Sequence, residues 1–284
     1  MPAATVSERA TDASSWRASL ALGFEHADGR TRLARRAHDG PLVVQKPFHP
    51  EGDAVCQVVV VHPPGGIAGG DALDLDIDVG AGAHAQLTQP AASRWYRSAG
   101  PTASQRVEAR VGERAILEWL PQGTIVFDGA RATSTFRIAA ARSACVIAWE
   151  LVCLGRTARD ERFANGRWRQ RLEIVRDDAL IWSERVDLGG GSALLDSPVG
   201  LNGAPVFGTF VAASPALDAA ALAAAREVVA TGAECALTRL PDVLVARYRG
   251  PASDEGLRQF TALWRALRPR LVGRSALPPR IWST

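Results

Sequence analysis

The stretch Val58-Val59-Val60-Val61-His62-Pro63-Pro64-Gly65-Gly66-Ile67-Ala68-Gly69-Gly70-Asp71 limits what this chain can fold into more than any other. Four successive valines are stiff at χ1 and read as a strand buried on both faces. Pro63 and Pro64 remove two backbone donors and stop the ladder. The glycines that follow let the backbone turn sharply or approach another surface closely. Leu73-Asp74-Leu75-Asp76-Ile77-Asp78-Val79 then alternates with strict period two, the mark of a half-buried strand. The glycines therefore join two strands. A phosphate-cradling loop would open a helix and carry Lys-Ser or Lys-Thr, and neither is present.

The same reading extends along the chain. Residues 1–15 are Ala, Ser and Thr with mixed charge and are expected to be a disordered tail. Strands are expected at Ala18 to Glu25, Arg30 to Ala37 and Leu42 to Gln45. Residues 55–188 alternate short apolar runs with Gly, Pro and Asp turns and have almost no helical periodicity. A faint repeat runs through this block: Val79-Gly80-x-x-Ala83 recurs as Val111-Gly112-x-x-Ala115 and, loosely, as Ala140-Ala141-x-x-Ala144. An apolar strand follows each (His84 to Leu87, Ile116 to Leu120, Cys145 to Leu154), and a period near thirty suggests stacked β layers. Trp168 to Val175 and Leu180 to Leu188 flank Arg176-Asp177-Asp178-Ala179, a hairpin. Two helices are expected in the C-terminal third. The first runs from Ala216 to Ala230, opened by Ser214-Pro215 and closed by Gly232. The second runs from Asp254 to Leu267, with Ser253 as N-cap, Leu257, Phe260, Trp264 and Leu267 on one face, and Pro269 as its end. Strands Cys235 to Leu240 and Val243 to Arg249 lie between them. Nothing reads as a linker, so residues 16–284 are expected to form one mainly β domain of stacked layers.

Composition narrows the function classes. A net charge of +3 over 284 residues is too small to argue for nucleic acid. Lys46 is the only lysine beside thirty-two arginines, which reflects either genomic codon bias or a surface built for bidentate carboxylate contacts. Cysteines 56, 145, 153 and 235 have no C-x-x-C spacing and read as reduced, buried thiols. With Glu8, Arg9 and Asp12 where an apolar leader core would lie, and no run long enough to span a membrane, a cytoplasmic protein is expected.

Few residues carry chemistry. Asp71, after two glycines, either satisfies its own turn amides or offers an oxygen ligand to a cation. Asp74, Asp76 and Asp78 resemble half a calcium loop, but Val79 and Ala85 stand where glycine and glutamate are needed, so these acids belong on a solvated face. His62, Asp71 and His84 could form a metal-dependent hydrolase site, though no H-x-H or H-E-x-x-H spacing supports it. No Gly-x-Ser-x-Gly elbow exists, so no catalytic residue is assigned. Glu118 and Glu150 sit inside apolar strands and need partners. Arg156 is the nearby candidate for a bridge to Glu150, the alternative being a polar cavity lining. Arg156, Arg159, Arg162, Arg167, Arg169 and Arg171 cluster, and the last three alternate onto one strand face. That face is either solvated or a docking surface for an acidic protein. Single-stranded nucleic acid would need more aromatics than Trp168.

The string His62-Pro63-Pro64-Gly65-Gly66 with Gly69-Gly70-Asp71 resembles the signature of the UreD (or UreH) family of urease accessory proteins. Leu117-Glu118-Trp119-Leu120-Pro121, Ile125 to Ala130, Trp149-Glu150, Leu154-Gly155-Arg156 and Pro279-Arg280-Ile281-Trp282 extend the resemblance in the family's order. It implies a β-helix-like stack and a non-enzymatic assembly factor with no stably bound cofactor. The implied partners are apo-urease, UreF and, through UreF, the GTPase UreG, so that nickel can be installed as a transported ion. Asp71, Glu118 and Glu150 are the carboxylates this sequence could supply to a nickel route, and Arg167, Arg169 and Arg171 are its candidate partner contacts. Two departures stand out. Thr88-Gln89-Pro90 replaces the family's Thr-Thr-Pro. In Arg159-Asp160-Glu161, an aspartate replaces the glycine before Glu161, at a turn expected to prefer positive φ.

Overall fold

The computed structural model describes residues 15–229 and 234–283. The expected tail, apart from Ser15, and the closing Gly232 lie outside the described residues. The chain opens with β1 (Arg17–Ala27), β2 (Arg30–Asp39), β3 (Val43–Val44), β4 (Val55–Val61), β5 (Ala72–Val79), β6 (His84–Thr88) and β7 (Ser93–Trp95). It continues through β8 (Ala103–Val111), β9 (Ile116–Leu120), β10 (Thr124–Val126), β11 (Arg131–Ala140), β12 (Cys145–Leu154), β13 (Arg167–Arg176) and β14 (Ala179–Gly189). A single helical turn, α1 (Ala193–Asp196), precedes β15 (Val206–Ala213), α2 (Ala219–Val228), β16 (Cys235–Arg239), β17 (Val243–Gly250) and α3 (Ser253–Val272).

The strands form two sheets, in the orders β14-β13-β11-β8-β5-β1-β2 and β16-β17-β15-β12-β9-β6-β4-β3. β1, β5, β8, β11 and β13 run parallel in the first, and β4, β6, β9 and β12 in the second. The chain therefore winds from sheet to sheet as a β-solenoid, one coil per repeat. The faint repeat marks the tight turn of each coil. Gly112 N–H donates to Val79 O at 2.8 Å and Ala141 N–H to Val111 O at 2.8 Å, so each turn rests on the one before. Ala83, Ala115 and Ala144 stack inside, fully buried, where a larger side chain would push the coils apart.

Leu73, Leu75, Ile77 and Val79 of β5 face Val58, Val60, Ala85, Leu87 and Leu117 of the second sheet across the solenoid interior. The other face of the second sheet is also buried: Ile147, Trp149, Leu151 and Phe210 pack against Phe260, Leu263, Trp264 and Leu267 of α3. Burial on both faces explains why β4 and β12 are nearly continuous apolar runs, whereas β5 alternates. The outer face of the first sheet is open, with Asp74 and Asp78 paired to Arg106 and Arg110 of β8.

The β13–β14 hairpin has the expected turn, with Asp177 at φ 47° and Asp178 at φ 65°. The helix boundaries differ from expectation. α2 starts at Ala219 because Asp218, not Ser214, accepts the amide of Ala221 at 2.7 Å. Ser253 is the first helical residue of α3, and Ala252 occupies the cap position. Pro269 lies within α3, which runs to Val272 and closes at Gly273 (φ 72°). Trp264, Leu267 and Leu271 hold the last turn on the sheet, and that packing outweighs the proline penalty.

Candidate functional site

Sheet geometry sends the two strand carboxylates in opposite directions. Leu117 and Trp119 of β9 point into the solenoid, so Glu118 points out toward α3. Val146, Ala148 and Val152 of β12 point inward, and Glu150 shares their face.

Glu118 is completely buried and is the hub of a polar network. Its Oε1 lies 2.5 Å from His84 Nε2 on β6, and Trp264 Nε1 of α3 donates to Oε2 at 2.5 Å. Arg268, also on α3 and fully buried, donates through Nε at 3.0 Å and through Nη2 at 3.0 Å. The far side of the Arg268 guanidinium reaches Glu51 at 2.7 and 2.9 Å and the carbonyl of Ser275. Gln86 and Gln57 extend the network along the sheet, bonded to each other at 2.5 Å. Burial alone would raise the Glu118 carboxyl, but His84 and Arg268 outweigh it and hold it at about 2. Glu118 is therefore ionised at neutral pH, and the hydrogen shared with His84 sits on Nε2. The network joins strand, loop and helix. Sequence reasoning missed Arg268, although it falls four residues after Trp264, on the apolar stripe of α3, where a buried arginine demands a carboxylate.

Glu150 does not bridge to Arg156. Arg156 instead binds Glu161 through Nε at 2.9 Å and through Nη2, and stacks over Phe127 at 4.6 Å. The two could not meet, because Glu150 faces the space between the sheets while Arg156 follows the turn at Gly155. Glu150 accepts one bond, from Trp119 Nε1 at 2.9 Å. It lines a small internal gap beside Glu173, Trp182 and Thr209. Burial pushes its carboxyl up to about 7, against the lowering effect of the Trp119 bond.

Asp71 follows its structural role. Its oxygens accept the amides of Ala68 and Trp16, each at 2.8 Å. The glycine-rich loop it ends is the first of four loops stacked at one end of the solenoid. Ile67 N–H donates to Arg94 O at 2.7 Å, Phe127 N–H to Trp95 O at 3.0 Å and Gly129 N–H to Asn165 O at 3.1 Å. Two of its glycines are dictated by this stacking. A Cβ on Gly66 would lie 2.2 Å from the Tyr96 ring, and one on Gly69 2.3 Å from Ser98 Oγ. Asp160 has φ 53°, so the aspartate before Glu161 does occupy a left-handed position. Asp128 binds outside its own turn, accepting the amides of Ala164 and Asn165 at 2.9 and 2.7 Å.

His62, Asp71 and His84 do not assemble, since His84 is bound to Glu118 in the helix-covered network. Among the described residues, no group of three or more His, Cys, Asp or Glu side chains converges on a metal position. Arg167 and Arg169 both contact Asp187, and Arg171 contacts Glu173, so each arginine of that strand face has an internal carboxylate. No described helix is long and apolar enough to cross a membrane.

The molecule is thus a β-solenoid with one face armoured by helices, whose buried charges bind layers together and whose glycines pack its loops. Residues 17–283 match the model of the UreD urease accessory protein family, and the chain belongs to that family. It is similar to a urease accessory protein UreD from Azoarcus sp. (strain BH72), 52% identical over 269 residues covering 95% of this chain and 94% of the relative. The UreD of Dechloromonas aromatica is 51% identical over 95% of each chain. That of Pseudomonas fluorescens (strain Pf-5) is 45% identical over all of this chain and 99% of the relative.

Proposed function

We propose that this protein is a non-catalytic scaffold of urease maturation in the cytoplasm, bridging apo-urease to UreF and, through UreF, to the GTPase UreG while nickel is installed. The observation that carries this reading is the family match across nearly the whole chain. The site geometry agrees with it, because Glu118, Arg268 and Asp71 are engaged in holding the fold together. Nickel is cargo here, with no resident cofactor. Arg167, Arg169 and Arg171 are proposed partner contacts, and of the three carboxylates Glu150 alone, which holds a single donor, is the proposed member of the nickel route.

Co-expression with UreF and apo-urease tests this directly. The chain should co-purify with both, raise the nickel content of recovered urease, and hydrolyse neither urea nor GTP when pure. Charge reversal of the three arginines should weaken a partner contact without unfolding the protein, although it sets like charges against Asp187 and Glu173. GTP hydrolysis by the pure chain, abolished by substituting one of its own residues, would refute the scaffold reading.

A further inference from the structure

The gap that Glu150 borders has one polar way out. Apolar side chains of β11, β13 and β14 close most of it, Trp182 among them. Glu173 also borders it but is held by Arg171, whose Nε donates at 2.7 Å. Trp119 Nε1 donates to Oε1 of Glu150, which leaves Oε2 for the gap. Beside it on the same sheet face stands Thr209. Glu150 of β12 and Thr209 of β15 are paired in register, and Thr209 is paired in turn with Arg247 of β17. Directly opposed residues bring their Cβ atoms to roughly 4.5–5.5 Å.

Thr209 lines not only this gap but also an open cleft of about 660 Å³ at the last coil, together with Glu184 of β14 and Arg247. Its buried hydroxyl donates to Glu184 Oε1 at 2.5 Å. Arg247, half exposed, donates from Nε to the other oxygen, Glu184 Oε2, at 2.5 Å. A hydroxyl accepts as well as donates, so Thr209 can receive a hydrogen bond from the gap while it donates toward the cleft. The gap of about 10 Å³ has room for one water, with Glu150 and Thr209 as polar neighbours. Burial sets the Glu150 carboxyl at about 7, so its proton comes and goes around neutrality and needs a polar path past the apolar lining.

We propose that Thr209 and Glu184 are the proton relay of Glu150, joining the gap to the open cleft. The Glu150 O–H bond breaks as an O–H bond forms on a water in the gap. That water gives one proton to Thr209 Oγ1, the Thr209 hydroxyl gives its own to Glu184 Oε1, and Glu184 releases it to the cleft. One proton leaves, and the negative charge stays on Glu150 for an arriving cation. The relay deepens the reading of Glu150 as a member of the nickel route, but its test needs only the pure chain. The full chain is mixed rapidly into heavy water below the Glu150 midpoint, and the infrared carbonyl band that Glu150→Gln removes is followed as it exchanges. Thr209→Val keeps the shape without the hydroxyl and should slow exchange at least about tenfold, with the pH midpoint unmoved. Thr209→Ser restores the hydroxyl and should exchange at the original rate. Thermal melts verify folding, and Thr209→Ala replaces the valine variant if that one unfolds. Exchange as fast without the hydroxyl as with it overturns the proposal, as does a serine variant as slow as the valine one. The absence of any carbonyl band lost in Glu150→Gln overturns it too. If the relay result holds while Glu150→Gln still delivers full nickel to urease, the relay stands and the nickel-route reading falls.

Discussion

Replacing Glu118 by glutamine tests whether the buried network holds α3 on the solenoid. The amide keeps the shape but removes the charge that His84, Trp264 and Arg268 all address. Its NH2 must also face donors where an acceptor stood. Arg268 would keep Glu51 but lose half of its neutralisation. A carboxyl held at about 2 rather than its ordinary 4.5 represents roughly 3 kcal/mol, at 1.36 kcal/mol per pH unit. Removing one partner of a buried pair typically costs about 3–5 kcal/mol, in the same range. Because the folded-state pKa is depressed, this stability is full above pH 4.5 and is lost as pH falls from there toward 2. Urea unfolding at pH 7 should show a lower midpoint with an unchanged slope. The unaltered protein should lose an acid-dependent component below pH 4.5 that the variant never had. A double-mutant cycle with Arg268→Met should give a coupling energy above about 1 kcal/mol. A Glu118→Gln protein within about 1 kcal/mol of the original, with the same acid limb, would refute this account.

Glu150→Gln should behave oppositely: its carboxyl is raised to about 7, so the folded state binds the proton more tightly and stability falls as pH rises from 4.5 through 7. The amide should flatten that limb and raise stability at pH 8 by about 1–3 kcal/mol in urea titrations; a destabilised variant at pH 8 would count against the assigned burial. Gly66→Ala should lower stability by about 1–3 kcal/mol through collision with the Tyr96 ring, and Tyr96→Ala in the same chain should recover part of it. Arg156→Met should leave the thermal melt almost unchanged, since its ion pair with Glu161 is solvent-exposed, and it should leave the pH dependence assigned to Glu150 unmoved.

Local patterns were legible in the sequence where one physical cause acted alone. Period-two alternation gave β5, the doubly buried valines gave β4, and small residues at the coil turns exposed the solenoid repeat. The required left-handed backbone at Asp160 was also readable, because the family pattern places glycine there. The sequence was silent where two distant segments share one cause. Arg268 and Glu118 lie 150 residues apart, and neither alone reveals the other. Arg156 chose Glu161, five residues on, over Glu150, because strand alternation turned Glu150 to the other side of the sheet. Pro269 marked a helix end by local rules, and tertiary packing of Leu271 overrode them. The short strands β7 and β10 exist only because neighbouring coils offer them ladders.

The three carboxylates first grouped as a nickel route are physically unequal. A transfer group must offer oxygen to an arriving cation and release it without breaking the fold. Asp71 already satisfies two backbone amides, and Glu118 satisfies an imidazole, an indole and a guanidinium. Giving either to a metal would undo a loop or detach a helix. Glu150 holds one donor and borders a gap of about 10 Å³, the room of roughly one water. Its proton leaves near neutrality, so exchanging it for a cation costs little there. Glu150→Gln should therefore assemble normally with UreF and apo-urease yet deliver less nickel. Asp71→Asn and Glu118→Gln should lose stability, and nickel delivery should fall only in proportion to the folded protein that remains. Size-exclusion chromatography and metal analysis of recovered urease measure both quantities in one preparation. Full nickel content with Glu150→Gln would remove this residue from the route and leave all three carboxylates with purely structural roles.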